Sequence, residues 1–266
     1  MESSFEIRRR RLRKQDRREQ ILFELKLQPH VRVSDMAERF GVSTETVRRD
    51  LDQLSEDGLI SRAHGGASSS LKYPDFEQRS CDRLEEREVI GRSAAALVES
   101  GNTVMMDSGS TMVQLARFLA YAGTPCTVIT NSLAVAMTLG QSENAEVIVC
   151  PGDYVASEAA VVGTDTIEFL ERHYVDRCLI GARGLSEDGI SETIRGFAAI
   201  KRVMLNNSRL SHLLIDSNKF DQSGLSHVGK LNELTSMVAD TMPKGRLAEA
   251  LKVGNVEVIV AEKLAA

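Results

Sequence analysis

From residue 85 onward, short runs of β-forming residues alternate with stretches of helical periodicity, and this alternation restricts the fold more than any other feature of the sequence. Strands that alternate with helices are typical of a parallel sheet covered by helices. The β-forming runs are residues 103–106, 126–130, 147–150, 178–180, 213–215, 237–239 and 256–260. The sequence therefore predicts a C-terminal α/β domain with a mainly parallel sheet.

Two short helices are predicted nearer the N-terminus, at residues 16–27 and 33–40, because apolar residues recur there at helical spacing. Pro29 cannot lie in a helix interior and therefore separates them, and Gly41 permits a tight turn that ends the second. A short helix followed by a tight turn is typical of the first half of a helix-turn-helix.

A third helix is predicted after this turn, with Ser43 as its N-cap and with Val47, Leu51 and Leu54 as its buried stripe. Gly58 should end it. Several hydroxyl and basic residues near its start lie mostly off the stripe, namely Thr44, Thr46, Arg48 and Arg49. The second helix of a helix-turn-helix enters the major groove of DNA, so these side chains are predicted to reach phosphates or bases.

Residues 59–66 are predicted to form a hairpin, which would be the wing of the helix-turn-helix domain. The predicted DNA-binding residues of this domain are Ser43, Thr44, Thr46, Arg48, Arg49, Arg62 and His64. The alternative interpretation is a three-helix bundle with solvated, charged outer faces.

Charge supports a nucleic-acid partner. The first 67 residues hold more Lys and Arg than Asp and Glu, whereas the rest of the chain is acidic. A dense basic run is formed by Arg8, Arg9, Arg10, Arg11, Arg13, Lys14, Arg17 and Arg18. Such a run is predicted to be an arm that holds a polyanion, with a solvated tail as the alternative.

The segment 42–67 contains V-S-T-E-T-V-R-R-D-L, G-L-I-S-R and H-G-G-A, and it resembles the N-terminal signature of the DeoR family of bacterial transcriptional regulators. The resemblance implies a winged helix-turn-helix that binds double-stranded operator DNA. It also implies a homo-oligomeric regulator, usually a repressor of a carbohydrate-catabolism operon.

Residues 68–84 have few apolar side chains and are predicted to be a linker. The predicted domains are therefore a winged helix-turn-helix at 14–67 and an effector-binding α/β sensor domain at 85–262. A linker of this kind is expected to carry the change between the two domains when an effector binds.

Polar residues follow several of the predicted strands, at the sheet edge where parallel α/β sheets bind ligands. The loop D-S-G-S-T at 107–111 passes directly into a helix, and its free N–H groups and the helix dipole suit a phosphate or carboxylate. In the empty site this loop is expected to face solvent. The sequences T-N-S at 130–132, G-A-R-G at 181–184 and D-S-N-K at 216–219 end other strands. We expect one shared pocket.

These loops extend the resemblance, because D-S-G-S-T, T-N-S and D-S-N-K-F are similar to loops of the same family, whose C-terminal part resembles the ribose-phosphate isomerase and coenzyme A transferase fold. The family resemblance implies a phosphorylated sugar or related metabolite as effector. The residues implied or predicted to bind it are Asp107, Ser108, Gly109, Ser110, Thr111, Asn131, Ser132, Gly152, Arg183, Lys201 and Lys219. Two positions depart from the family pattern, Pro151 and Phe197, and the phenylalanine removes a carboxylate that could accept hydrogen bonds from sugar hydroxyls.

An enzyme is the alternative function, because Asp107 and Asp216 with Lys201 or Lys219 supply the residue types for proton transfer on a sugar phosphate. The DNA-binding module favours a sensor, so we predict no enzymatic activity, no cofactor and no metal. A nucleoid protein is the third class, and the acidic second region argues against it.

No apolar run approaches the length of a membrane span, and the basic N-terminus is not followed by a signal-peptide core, so a cytoplasmic protein without a membrane partner is expected. The four cysteines are widely spaced, namely Cys81, Cys126, Cys150 and Cys178. We interpret them as core thiols in a reducing compartment, with a redox or metal role as the alternative.

Overall fold

A computed structural model describes residues 13–27, 30–56, 60–63, 66–69 and 83–262. The chain divides into two compact units, Met1–Cys81 and Asp82–Ala266, and each is described by itself. Within the described residues, none of the helices is long and apolar enough to cross a membrane.

The described residues of the first unit form three helices, α1 (Lys14–Leu27), α2 (Val33–Phe40) and α3 (Thr44–Glu56). Gly41 follows α2 with φ 63°, a left-handed conformation that favours glycine, and so allows the tight turn. The apolar stripes of the helices meet in one core, formed by Ile21, Val33, Met36, Ala37, Phe40, Val47, Leu51, Leu54 and Ile60. The predicted helix-turn-helix is therefore confirmed, while Gly58, the residue predicted to end α3, lies outside the described residues.

A three-stranded antiparallel sheet completes this unit, with strands β1 (His30–Arg32), β2 (Ile60–Ala63) and β3 (Gly66–Ser69). The hairpin of β2 and β3 was predicted, whereas β1 was not. His30 of β1 pairs with Ser68, which the sequence assigned to the linker. The wing therefore extends through Ser69, and the predicted linker start at residue 68 is wrong by two residues.

The second unit is built on a seven-stranded parallel sheet. Its strands are β4 (Asn102–Met106), β5 (Cys126–Thr130), β6 (Ala145–Val149), β9 (Val175–Ile180), β12 (Ser208–Ile215), β14 (Ser236–Ala239) and β15 (Glu257–Val260). Their order across the sheet is β15-β14-β12-β9-β4-β5-β6. Every β-forming run in the sequence overlaps a strand of this sheet, although Cys150 and Val256 lie just outside β6 and β15, so the predicted α/β domain is confirmed.

Helices form most of the connections between the parallel strands, and one further helix precedes the first strand of the sheet. They are α4 (Leu84–Ala95), α5 (Ser110–Ala122), α6 (Leu133–Leu139), α7 (Thr164–Glu171), α8 (Arg195–Asn206) and α9 (Gly245–Val253). Cys126, Cys150 and Cys178 are buried free thiols, and burial raises the pKa of Cys150 to about 12. Cys81 lies outside the described residues.

Two small antiparallel sheets lie outside the main one. One has β10 (Gly184–Ser186), β11 (Gly189–Glu192) and β13 (Ser226–Gly229), and the other has β7 (Asp153–Val155) and β8 (Ala160–Val162). The hairpin of β10 and β11 follows β9 and precedes α8, so it supplies side chains close to the carboxyl end of the main sheet.

Candidate functional site

The start of α3 has the geometry expected of a DNA-contacting helix. Ser43 is its N-cap, because Ser43 Oγ accepts a hydrogen bond from the backbone N–H of Thr46 at 3.2 Å. Thr44, Arg48 and Arg49 are exposed, and Thr46 is half-buried beneath them. Two basic side chains and two hydroxyl groups are thus held at one end of a helix whose opposite face is buried.

An ion pair between helices holds α3 in place. Asp50 is buried on α3, and its carboxylate contacts Arg17 Nε at 2.5 Å and Arg18 Nε at 3.4 Å on α1. These two arginines belong to the run predicted to be a basic arm. That prediction is wrong for Arg17, which is buried in the unit rather than available to DNA.

Two predicted DNA-binding residues belong to the wing. Arg62 lies in β2, opposite Ala67 of β3. His64 lies outside the described residues. The backbone of the wing therefore places Arg62 in the hairpin as expected.

Charged side chains gather at the carboxyl ends of the main-sheet strands in the second unit. We call this group the strand-end cluster, and it consists of Asp107, Glu192, Lys201, Asp216 and Lys219. Asp107 follows β4, Asp216 follows β12, Glu192 ends β11, and Lys201 is on α8. Four different elements of the second unit therefore supply it.

Lys201 lies between two carboxylates. Its Nζ is 3.3 Å from Asp107 Oδ2 and also donates a hydrogen bond to Glu192 Oε2. Burial raises the pKa of Asp107, while burial of Lys201 is outweighed by the two carboxylates, which raise its pKa. Burial also opposes the charge of Glu192, but Lys201 outweighs it and lowers the pKa of Glu192. The site thus holds a stable cation with two acids around it.

Lys219 forms the second half of the cluster. Its Nζ donates to the backbone oxygen of Ala182 at 2.9 Å and lies 3.6 Å from Asp216 Oδ2. Burial lowers the pKa of Lys219 to about 8. The negative charge of Asp216 opposes this shift, whereas the positive charges of Arg87 and Lys201 add to it. An anion bound beside Lys219 would therefore favour its charged form.

The loop that leads into α5 was expected to be solvent-facing, and this expectation is wrong. Ser108, Ser110 and Thr111 are all buried, and only Gly109 is partly exposed. Gly109 has φ 129°, which strongly favours glycine. The first N–H groups of α5 have no partner within the helix, so the loop keeps the donors of an anion site.

Asn131 and Ser132 lie after β5 and are completely buried. Ser132 caps α6 by accepting from the N–H of Val135 at 3.2 Å, so its hydroxyl has a structural partner. Asn131 Nδ2 donates to the backbone oxygen of Val161 at 3.0 Å, whereas Asn131 Oδ1 has no hydrogen-bond partner among the described residues. A buried acceptor without a donor is costly.

Two other predicted site residues make different contacts. A Cβ at Gly152 would lie 2.2 Å from Thr166 Oγ1, so close packing requires this glycine. Arg183 is exposed, and its backbone N–H donates to Ser191. Phe197 is buried on α8 one turn before Lys201.

Sequence reasoning missed two residues at this site, Glu192 and Arg83. Arg83 precedes α4, and its Nη2 donates to Asp240 Oδ2 at 3.0 Å while its Nε lies 3.7 Å from Asp216 Oδ1. Neither residue lies in a motif, and their partners are distant in sequence. Among the residues with described positions, no group of His, Cys, Asp and Glu side chains has the arrangement of a metal site.

A winged helix-turn-helix with exposed basic residues, in one chain with an α/β unit that has a charged cluster at its strand ends, defines a DNA-binding transcriptional regulator with a sensor domain. Residues 17–72 match the DeoR-like helix-turn-helix domain, and residues 82–241 match the DeoR C terminal sensor domain. The chain belongs to the DeoR family.

Full-length relatives agree with this assignment. The glycerol-3-phosphate regulon repressor of Escherichia coli is 31% identical over 90% of this chain and 96% of its own length. The repressor GlcR of Bacillus subtilis is 32% identical over 84% of this chain and 86% of its own length. The lactose phosphotransferase system repressor of Lactococcus lactis is 32% identical over 79% of this chain and 85% of its own length. Ribose 5-phosphate isomerase A of Neisseria gonorrhoeae aligns with 53% of this chain and 54% of its own, with 13% identity and a TM-score of 0.40.

Proposed function

We propose that this regulator is a repressor of a carbohydrate-catabolism operon and that a phosphorylated sugar or related metabolite controls it. The observation that carries the proposal is the strand-end cluster beside the N-terminus of α5, which combines anion donors with hydroxyl-binding acceptors. The names of the relatives support the same class of target, because they refer to glycerol 3-phosphate and lactose systems.

The phosphate would bind at residues 107–111. The free N–H groups of the first turn of α5 and the positive end of its dipole favour a dianion there. Lys219 supplies charge to the cluster, and a bound phosphate would offset its burial.

The sugar would bind between the strand ends. Asn131 Oδ1 is a buried acceptor, and a hydroxyl group of the ligand would supply the donor that it needs. The carboxylates of the cluster are further acceptors for hydroxyl groups.

DNA binding would use α3 and the wing of two or more copies of the chain on repeated half-sites of an operator. We propose that Ser43, Thr44, Thr46, Arg48, Arg49, Arg62 and His64 contact the operator. A homo-oligomer fits this arrangement, since paired half-sites require paired helices.

Arg83 would couple the sensor to the linker. It lies directly before α4, in the segment predicted to be the linker, and it contacts Asp216, which pairs with Lys219 in the cluster. A ligand that shifts Asp216 or Lys219 would change the contact between Asp216 and Arg83, and this would move the start of α4. Unequal ligand affinity for two arrangements of this contact would couple the effector to DNA binding.

An isomerase-like activity is disfavoured by the surroundings of Asp107. This carboxylate is fully buried and already accepts from Gly181 N at 3.2 Å and from Lys201, whereas a general base must reach a substrate proton. Incubation with phosphorylated pentoses and hexoses should therefore give no turnover, and measurable isomerisation would establish the enzyme alternative.

The direct test is calorimetric titration of the full chain with glycerol 3-phosphate and a panel of phosphorylated pentoses and hexoses. Ser110→Asp should abolish binding, because it fixes a negative charge where the phosphate would lie. The variant should still fold, because the N-terminal end of the helix dipole stabilises a negative charge. Ser110→Asn is the neutral control of similar size and should lose much less affinity. Equal affinity in wild type and the Asp variant would remove the loop from the site.

A further inference from the structure

Glu192 is the most exposed carboxylate around Lys201. It is the last residue of β11, and its side chain keeps 14% of its surface accessible, whereas that of Asp107 keeps 0%. Both acids contact the same ammonium group, but only Glu192 of the two keeps surface that a ligand could reach.

The hydrogen bonds of Glu192 leave acceptor capacity unused. Its Oε1 accepts from the backbone N–H of Thr193 at 2.9 Å, and its Oε2 accepts from Lys201. An ionised carboxylate has about four lone-pair sites, so about two remain. By contrast, Asp107 Oδ2 is shared by Gly181 and Lys201, and Asp107 Oδ1 is within 3.5 Å of Ser108 Oγ.

Glu192 brings to Lys201 a carboxylate that position 197, a phenylalanine, does not supply. The sequence suggested that Phe197 removes a carboxylate from the pocket. Phe197 is one helical turn before Lys201 on α8, and both side chains are buried. Glu192 brings a carboxylate to the same lysine from a different element, the β10–β11 hairpin.

We propose that Glu192 is the residue by which the sensor domain selects hydroxyl-bearing phosphate esters, accepting hydrogen bonds from ligand hydroxyl groups while it remains paired with Lys201. This inference rests on the proposed function of the strand-end cluster as an effector site. An amide or apolar side chain at this position would leave phosphate binding in place and weaken recognition of the polyol part of the ligand.

The test is the ratio of two affinities, measured by calorimetry on the full chain. One ligand is the phosphorylated pentose or hexose that wild type binds, and the other is ethyl phosphate, which carries the same charged group without the hydroxyls. Glu192→Gln should reduce the preference for the sugar phosphate by at least about tenfold, or about 1.4 kcal/mol, and leave the affinity for ethyl phosphate unchanged or tighter. The matched control is Glu187→Gln, an exposed acid on the same hairpin, which should keep the wild-type ratio.

Binding of ethyl phosphate reports that each variant is folded. If Glu192→Gln does not fold, Glu192→Asp serves instead, because it keeps the charge beside Lys201 but withdraws the carboxylate from the ligand, and it should also lose the preference. If a folded variant keeps the wild-type ratio of the two affinities, the role of Glu192 is overturned, but the proposed function is not. Failure of wild type to bind any phosphate ester overturns the proposed function as well.

Discussion

Arg17 Nε on α1 lies 2.5 Å from Asp50 Oδ2 on α3, and this contact joins α1 to the helix that we propose contacts DNA. Both side chains are buried, so the pair is shielded from solvent, and breaking a buried ion pair is strongly destabilising. Asp50 therefore sets the position of α3 on the unit, while Arg48 and Arg49 on the opposite face remain free of the core.

Asp50→Asn should destabilise the first unit by about 3 kcal/mol, because it removes the buried carboxylate that Arg17 and Arg18 both contact. Denaturant unfolding monitored on the full chain should show an earlier transition, with operator binding lost at the same denaturant concentration. The control is Glu38→Gln, which changes an exposed acid on α2 and should move the transition by less than about 0.5 kcal/mol. An unshifted transition for Asp50→Asn would mean that the ion pair does not hold α3.

Replacing Arg48 and Arg49 together by alanine should weaken binding to DNA by at least about tenfold and lower the dependence of log K on log salt by about two units. Both side chains are exposed, so folding should be unaffected. The probe is a fragment selected by wild-type protein from a random library, and anisotropy at several salt concentrations gives both quantities. Arg172→Ala with Arg209→Ala removes two exposed charges from the second unit and should change neither.

The main sheet could be predicted from the sequence because the centres of its strands are apolar. The residues at which the strands begin could not be predicted. The run at 178–180 was visible, whereas β9 begins at Val175 and includes Asp176 and Arg177. These polar residues belong to the strand because each has a partner on a neighbouring strand: Thr103 N donates to Asp176, and Arg177 Nε donates to Asn102. The missed strand β1 has three residues and pairs with a segment more than thirty residues away, so no local pattern reveals it.

The candidate site likewise contains residues that the sequence predicted and residues that it did not. Asp107 and Ser110 were found because strand, loop and helix follow one another directly in the sequence. Glu192 and Arg83 were missed because their roles depend on contacts with Lys201 and Asp216, which only the folded chain brings near. Residues in loop motifs could be predicted, whereas residues that complete a site across elements could not.

His212 is a buried neutral base at the amino end of the main sheet. Its Nε2 faces Arg177 Nη1 at 3.3 Å, and its Nδ1 is 2.8 Å from Ser236 Oγ. Since a guanidinium can only donate, Nε2 must accept, and Nδ1 carries the proton. Burial, with help from Arg177, lowers the pKa of His212 to about 4.

The second unit should therefore lose stability as the pH falls from about 6.5 towards 4, because the unfolded chain takes up a proton on this histidine before the folded chain does. The contribution of His212 is complete above pH 6.5 and amounts to about 3 kcal/mol. His212→Gln should flatten this part of the pH profile in denaturant unfolding, while His227→Gln, at an exposed position, should leave it unchanged. Parallel profiles for wild type and His212→Gln would show that other groups govern the pH dependence.

Arg83, at the beginning of the second unit, has a left-handed backbone conformation with φ 48° and ψ 42°. This conformation costs on the order of 1 kcal/mol for a non-glycine residue. Its contacts with Asp216 and Asp240 offset that cost. Ser217 fixes Asp240 in turn, since its N–H donates to Asp240 Oδ1 at 2.7 Å. The start of α4 is thus tied to the strand end that carries Asp216 and Lys219.

Arg83→Gln should uncouple ligand binding from DNA binding. Coupling between two sites is typically about 1–3 kcal/mol, or about 5- to 150-fold in affinity, and the variant should reduce the effect of a bound sugar phosphate on DNA affinity to less than about threefold. Its affinity for the sugar phosphate itself should stay close to that of wild type, which calorimetry measures separately. The exposed Arg246→Gln serves as the charge-matched control and should respond as wild type does. A full response in folded Arg83→Gln would show that the change reaches the linker by another route.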